Sequence, residues 1–435
     1  VKYIVVKKIS ILIFLVNSLF SFSQDILTLD EAIESALKSS FDLKFAQTRI
    51  SIASANNTKG NAGMMPEINL YGTDNIEAGF MHQKLSDGEK KSYPFLASNA
   101  LNAGAELNWK VYDGGRMKLE KSRLGELESL SKINYEDILN LTILNVSSAY
   151  YDVIRQKQQL RSIEEIISFN RERVKIANAG LIAGTLPKTE VMQSQIDLNV
   201  SLENSINQKY VISNSKKNLN NAIGRPDNPD FEVSDTIIIE ISDIKSEDLI
   251  KKLDSNKEIQ MLKKEVKIAE IALEQANRLN KPVLSVNGNL GFTLVNNSAG
   301  SVLSTTSFGP GAGGRISYPL YTAGENKRKQ TLAKLELENA RTNLDETKML
   351  IMNSIRSAFE SYENQVELLK IEKSNNALAR ENLMISLERL RLGQTNSLEV
   401  HQAQEYLIQS NTRLINFQYF MKIAETKLRQ LLAEF

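Results

Sequence analysis

The longest uninterrupted pattern in the chain is helical. From 325 to 392 there is no glycine or proline, and Leu344, Leu350, Ile351, Ile355, Ala358, Phe359, Tyr362, Val366 and Leu369 recur at helical steps among Lys, Glu, Asn and Arg. That spacing predicts one amphipathic helix packed along a seam, roughly 100 Å long if continuous at about 1.5 Å per residue. The stretch 116–183 has the same character and is interrupted only by Gly125 and Gly180. Ahead of each stretch the period shortens to two. Leu101, Ala103, Ala105, Leu107, Trp109 and Val111 alternate with Asn102, Gly104, Glu106, Asn108 and Lys110. Later, Leu284, Val286, Gly288, Leu290, Phe292 and Leu294 alternate with Ser285, Asn287, Asn289 and Thr293. Alternation of this kind predicts half-buried strands. Their hairpin partners are read at 67–80 and along Ala312, Gly314, Ile316, Tyr318 and Leu320. Helices are predicted before both hairpins, from about 29 to 60 and over 247–280, each stopping ahead of a proline, Pro66 or Pro282.

The whole scheme occurs twice in register. YDGG at 112–115 answers YTAG at 321–324, and Gly184 followed by EVMQSQ at 190–195 answers Gly393 followed by EVHQAQ at 399–404, all 209 residues apart. Repeats decide the unit of architecture. The first hairpin is seven residues longer than the second, and the excess is expected in its polar loop around Ser86, Asp87, Gly88, Glu89 and Lys90. Gly184 and Gly393, with Thr185 and Thr395 within two residues, mark turns far from the strands, where each long helix folds back as a helical hairpin. The expected organisation is an export signal over 1–23, a first repeat over 24–224 (strand hairpin 67–112, helical hairpin 116–223), a linker over 225–246, and a second repeat over 247–435 (strand hairpin 283–321, helical hairpin 325–435).

A soluble half-buried sheet would give the same alternation in any one strand. These strands, however, are about ten residues or longer, have small or apolar residues opposite Asn, Glu and Lys, and end near Trp109, Tyr112, Tyr318 and Tyr321. Those are marks of a transmembrane barrel with a wet lumen and an aromatic girdle in contact with lipid. Four strands leave two bare edges in lipid, so three copies supplying twelve strands are expected.

Composition narrows the function. A 42% apolar content with 8 prolines and 21 glycines fits a mostly helical protein, and a net charge of +1 suggests no nucleic-acid partner. The absence of cysteine leaves no disulfide, thiolate metal site, cysteine nucleophile or lipid-bearing N-terminal cysteine. His82 and His401 lack metal-site spacing, and neither an enzyme nor a cofactor is expected. Lys2, Lys7 and Lys8 precede an apolar run at 9–20 and small residues at 21–23, which reads as an export signal cleaved near Ser23 or Gln24. The run is shorter than the roughly 18 to 20 residues of a spanning helix. No later segment would span as a helix, so membrane contact would come from strands.

The order of elements, the Tyr-x-x-Gly exits, the two Gly-x5-Glu-Val-x-Gln turns and LNNAIG at 219–224 resemble the TolC family of outer-membrane efflux and secretion ducts over essentially the whole mature chain. The resemblance implies a fold that is mainly α with a β-barrel part. Its tandem-repeat protomers would form a trimeric twelve-strand outer-membrane barrel continued by a long α-helical barrel in the periplasm, with 225–246 in the belt around its middle. It implies an exit duct of a tripartite export system in a Gram-negative outer membrane. The partners would be a homotrimer, a periplasmic adaptor, an inner-membrane pump and outer-membrane lipid, and the cargo small molecules. A type I protein-secretion duct shares the fold, and a periplasmic or extracellular coiled-coil scaffold would explain the rods but not the strands.

Carried onto this sequence, the family pattern makes Gly184, Thr185, Gly393 and Thr395 adaptor-docking tips. Glu190 and Glu399, with Gln193 and Gln402 one turn further, become the pore gate. Gln402 stands where many members have a second acid, and Thr395 where an arginine is common. Three copies of the two glutamates would gather six carboxylates near a mouth and favour cations there. Alternatively, both are helix N-terminal acids stabilised by the dipole.

Overall fold

The computed structural model describes residues 26–225, 227, 230–238 and 246–435. The export segment and residues 239–241 of the linker's apolar run lie outside the described residues. The chain forms α1 (Leu29–Ser39), α2 (Phe41–Asn56), β1 (Glu67–Lys84), β2 (Lys90–Tyr112), α3 (Arg116–Ile182), α4 (Lys188–Ala222), α5 (Ser246–Lys251), a 3-10 turn (Leu253–Ser255), α6 (Lys257–Asn277), β3 (Val283–Asn297), β4 (Ser304–Ser317), α7 (Glu325–Arg391) and α8 (Ser397–Leu431). Both α3 and α7 have 67 residues, and both α4 and α8 have 35. Among the described residues, no helix is long and apolar enough to cross a membrane.

The helices expected ahead of the hairpins are each broken. Ser40 leaves the helical region at φ −52°, ψ 125°, and Asn256 at φ −58°, ψ 130°. Each lies 26 residues before its hairpin proline. Ser40 caps the restart through its hydroxyl, which accepts from the Leu43 amide at 3.4 Å. The Asn256 side chain donates to the Leu431 carbonyl at 2.8 Å. Ser and Asn offer the backbone a local alternative to helix, and periodicity does not register that alternative because the apolar spacing resumes beyond the break.

Two compact units form, and each draws on both repeats. One comprises 46–135 and 257–348; the other comprises 136–256, 349–435 and the described part of 1–45. The repeats are therefore not the packing units.

The first unit holds a four-stranded antiparallel sheet in the order β1-β2-β3-β4. Cross-strand pairs share a face, so the register sorts the residues. One face carries rows such as Leu70–Ala105–Leu290–Pro310 and Gly72–Ala103–Phe292–Phe308. The other carries Glu67–Asn108–Asn287–Gly313 and Thr73–Asn102–Thr293–Ser307. The apolar face first meets polar residues at Asp74 and Thr306, in the row of Leu101 and Leu294, and then at Asn99, Asn296 and Ser304. From Trp109 to Leu101 it covers about 27 Å of strand, which at a tilt of about 40° stands about 21 Å tall, a little under the roughly 25 Å band of a membrane barrel.

On the polar face, the Tyr71 hydroxyl lies over Gly104 and Gly291. A Cβ at Gly104 would also stand 2.5 Å from the Leu290 carbonyl oxygen, so this close approach needs glycine. The extra residues of the first hairpin do not enlarge its loop. They extend the ladder as far as Lys84 and Lys90, closed by Leu85 N–H donating to the Glu89 carbonyl at 2.8 Å. Tyr318 and Tyr321 lie beyond β4, which ends at Ser317, ahead of Pro319 with no N–H to donate.

In the second unit, Leu27, Ala32, Val146, Tyr150, Ile154, Leu219 and Phe231 share one core cluster. Burial raises the Tyr151 hydroxyl to about 12, with the Glu425 carboxylate adding to it. The described linker residues 230–238 are strapped across this core by ions. Lys157 donates to Glu232 at 2.7 Å, Lys216 to Asp230 at 2.8 Å and to Glu232 at 2.9 Å, and Arg161 to Asp235 at 2.7 Å.

Hydrogen bonds from Lys216 and Lys157 hold Asp230 and Asp235, respectively, below the usual carboxylate range. Burial acts to raise Glu232, but the bonds from Lys157 and Lys216 outweigh it and its value is also lowered. Depressed folded-state values contribute stability that is complete above the unfolded values of about 4 and is lost as pH falls through the folded ones. The strap is therefore expected to hold from pH 7 to about pH 5 and to release below about pH 4. The reporter is the hydrogen-exchange protection of residues 231–237, and protection unchanged on acidification would refute the ionic strap.

Candidate functional site

The glycine turns belong to the second unit. α3 ends in a Schellman arrangement: Thr185 N–H donates to the Gly180 carbonyl at 2.8 Å and Gly184 N–H to Leu181 at 3.1 Å, with Gly184 at φ +72°. α7 ends the same way, with Gln394 N–H donating to Arg389 at 2.8 Å and Gly393 at φ +68°. Left-handed backbone at these two points costs least for glycine. Between the turns lies a cleft of about 520 Å³ lined by Gly180, Thr185, Leu186, Leu390, Leu392 and Gly393. Thr185 donates its hydroxyl to the Gly180 carbonyl at 3.1 Å.

The two equivalent glutamates find different cations. Glu399 accepts from Arg389 and from the Thr395 hydroxyl, with Ser386 at 3.5 Å. The position equivalent to Arg389 in the first repeat is Gly180, and the Leu186 side chain packs onto it. Glu190 instead faces Arg173, 3.5 Å away, with its side chain 11% exposed. Arg173 itself is 1% exposed; it donates to Asp197 at 2.7 Å and to the Ser397 hydroxyl. Gln193 donates to the other Asp197 oxygen at 2.9 Å, and His401 Nδ1 stands 3.8 Å from Asp197. Gln402 is exposed on α8.

Four of the expected tip and gate residues thus join charged networks: Glu190 and Gln193 around Asp197, and Glu399 and Thr395 around Arg389. Each glutamate has a guanidinium beside it, so the local field is smaller than a count of carboxylates suggests. Glu399 also meets the dipole reading, because it sits in the first turn of α8 behind the Asn396 cap. Sequence reasoning missed Arg173, Asp197, Ser397 and Arg389. A signal was available at the 209-residue offset: the same glutamate is followed back to arginine in one repeat and glycine in the other, so the first needed another cation.

At the helix end of the sheet, Trp109 donates its indole N–H to the Met64 carbonyl at 3.2 Å. A register shift between Lys110 and Tyr112 pairs Tyr112 with Leu284 and turns it onto the face of Trp109. Tyr112, Tyr318 and Tyr321 are all exposed. No group of His, Cys, Asp or Glu among the described residues is placed to hold a metal.

The fold is similar to three solved outer-membrane channels. OprN matches with a TM-score of 0.79 at 16% identity, over 93% of this chain and 89% of its own. VceC from Vibrio cholerae matches at 0.76 and 16%, over 93% and 96%, and CmeC from Campylobacter jejuni at 0.77 and 18%, over 93% and 85%. No curated protein sequence matches the chain. The sequence pattern of outer membrane efflux proteins matches residues 32–225 and 250–434, one span in each repeat. With a two-faced sheet, paired long helices and glycine turns already in place, a match of that extent means that the chain belongs to the outer membrane efflux protein family, whose members are transport ducts rather than enzymes.

Proposed function

We propose that this protein is the outer-membrane exit duct of a tripartite export system: a homotrimer whose three sheets close a twelve-strand barrel and whose helices continue the passage into the periplasm. The observation that carries the reading is the four-stranded sheet with one largely apolar face, one polar face and, among the described residues, unpaired edges at β1 and β4. Bare edges are not tolerated in lipid, and closure by further copies removes them.

The helices support the same assembly. Ile371, Leu378, Ile385 and Leu392 recur every seven residues along α7 and its end, each more than half exposed. An uncovered heptad stripe fits a left-handed seam with another helix, and a second copy of this chain is the occupant proposed for it. Ducts of this family generally act as trimers with adaptor and pump partners. The cleft between the glycine turns is the proposed adaptor-docking tip, and small molecules are the proposed cargo.

Glu190, Gln193, Glu399 and Gln402 form the proposed gate. The test is conductance in a planar lipid bilayer, wild type beside Glu399→Ala. Discrete channels are expected, with a larger unit conductance in the variant because Arg389 and Thr395 lose their shared acceptor. Channels indifferent to the substitution would remove Glu399 from the gate and leave the duct. Silence from folded wild-type protein would favour a coiled-coil scaffold.

A further inference from the structure

The polar face of the sheet carries one row unlike the others. The register places Lys110 opposite Ser285 and Ser285 opposite Arg315, so two cations flank a hydroxyl in one cross-strand row. Two strand spacings separate their backbones, about 10 Å. Both side chains are exposed, and neither has a hydrogen bond or ion pair with any described residue. All three residues line a cavity of about 840 Å³ at the helix end of the sheet, together with Asn108, Asn287 and Glu67. One oxygen of Glu67 accepts from the Asn69 amide at 3.2 Å, so the cavity holds two cations against one carboxylate.

The two side chains are long enough to converge over Ser285, and a counter-ion from solution held between them offsets their mutual repulsion. A guanidinium fork and an ammonium on either side of a hydroxyl suit an oxyanion: carboxylate, sulfate or phosphate. We propose that Lys110 and Arg315, with Ser285 between them, form an oxyanion-binding step on the lumen wall, which takes the anionic groups of exported solutes as they enter the barrel. This rests on the duct reading, in which three copies bring six cations to the helix end of the lumen. A twelve-strand barrel has a backbone radius of about 12 Å, so the six side chains reach well into the passage.

The experiment uses the full-length protein in planar bilayers, with inorganic pyrophosphate as the probe. Pyrophosphate is expected to reduce the wild-type current reversibly. The double variant Lys110→Gln/Arg315→Gln should raise the half-blocking concentration by about tenfold or more and move the reversal potential in a KCl gradient toward potassium. The charge-conserving pair Lys110→Arg/Arg315→Lys should retain both properties, which separates charge from folding. Equal block in wild type and the double glutamine variant would overturn the inference and leave the duct intact. Absence of wild-type channels would defeat the duct reading and this inference with it.

Discussion

Leu70→Arg is expected to abolish assembly of the protein in the membrane, while Asn69→Arg, one residue away, should be tolerated. Leu70 sits in the middle of the apolar face, in a row with Ala105, Leu290 and Pro310, and Asn69 sits opposite, in a row with Glu106, Asn289 and Gly311. A cation on the lipid face of a barrel costs about 2–4 kcal/mol at the midplane. In the proposed trimer the charge enters three times, roughly 6–12 kcal/mol in all, which is comparable to the whole stability of a typical domain. The measurement is the yield of folded protein in outer-membrane fractions, or of channels after refolding into bilayers. Equal yields for the two variants would mean that the apolar face is not the lipid face.

The second large effect is expected at Arg173. Truncation to alanine leaves Asp197 and Glu190, each 11% exposed at the side chain, without their cation. Breaking a buried pair from one side costs about 3–5 kcal/mol. Arg173 on α3 reaches acids on α4 and Ser397 on α8, so the loss falls on the contact that ties the two helical hairpins of one protomer at their tips. If that contact holds the tips closed, the balance between closed and open should shift by a factor on the order of 10² to 10⁴. Single-channel recording should show Arg173→Ala dwelling in states of higher conductance. Arg173→Ala/Asp197→Ala should be less perturbed than the sum of its parts, because the more closely held of the two acids is gone and only Glu190 remains uncompensated. Unchanged conductance from folded Arg173→Ala protein would mean that this network is structural and does not govern the passage.

The asymmetry between the repeats gives these two substitutions different standing. Leu70 could be chosen from the sequence, because its face follows from alternation alone. Arg173 could not. Its acids lie 17 and 24 residues further along the chain, and Ser397 lies 224 residues away, so only the side-by-side packing of three helices brings them together. The equivalent residues in the second repeat are Asn382 and Tyr406, so the duplication offers no second copy from which to infer the network.

The apolar stripe of α7 was legible as a stripe but not as two. Ile351, Ile355, Phe359, Tyr362 and Leu369 are buried within the protomer, whereas Leu350 is exposed, with Ile371, Leu378 and Ile385 further along the helix. Periodicity reports that a side chain is apolar and says nothing about which neighbour covers it.

By itself the sequence determined the repeat, the two long helices, the strand faces and the glycine turns, because each depends on local spacing or on a backbone angle that few residues adopt. The tertiary structure alone decided four other features. It broke the leading helices at Ser40 and Asn256, where a side chain competes with the helix backbone. It turned Tyr112 onto the Trp109 face through a one-residue shift in register. It drew both repeats into each compact unit. At the tips it paired Glu190 with Arg173 and Glu399 with Arg389, since charge pairs form between whichever groups packing brings within a few ångströms, however far apart they stand in the chain.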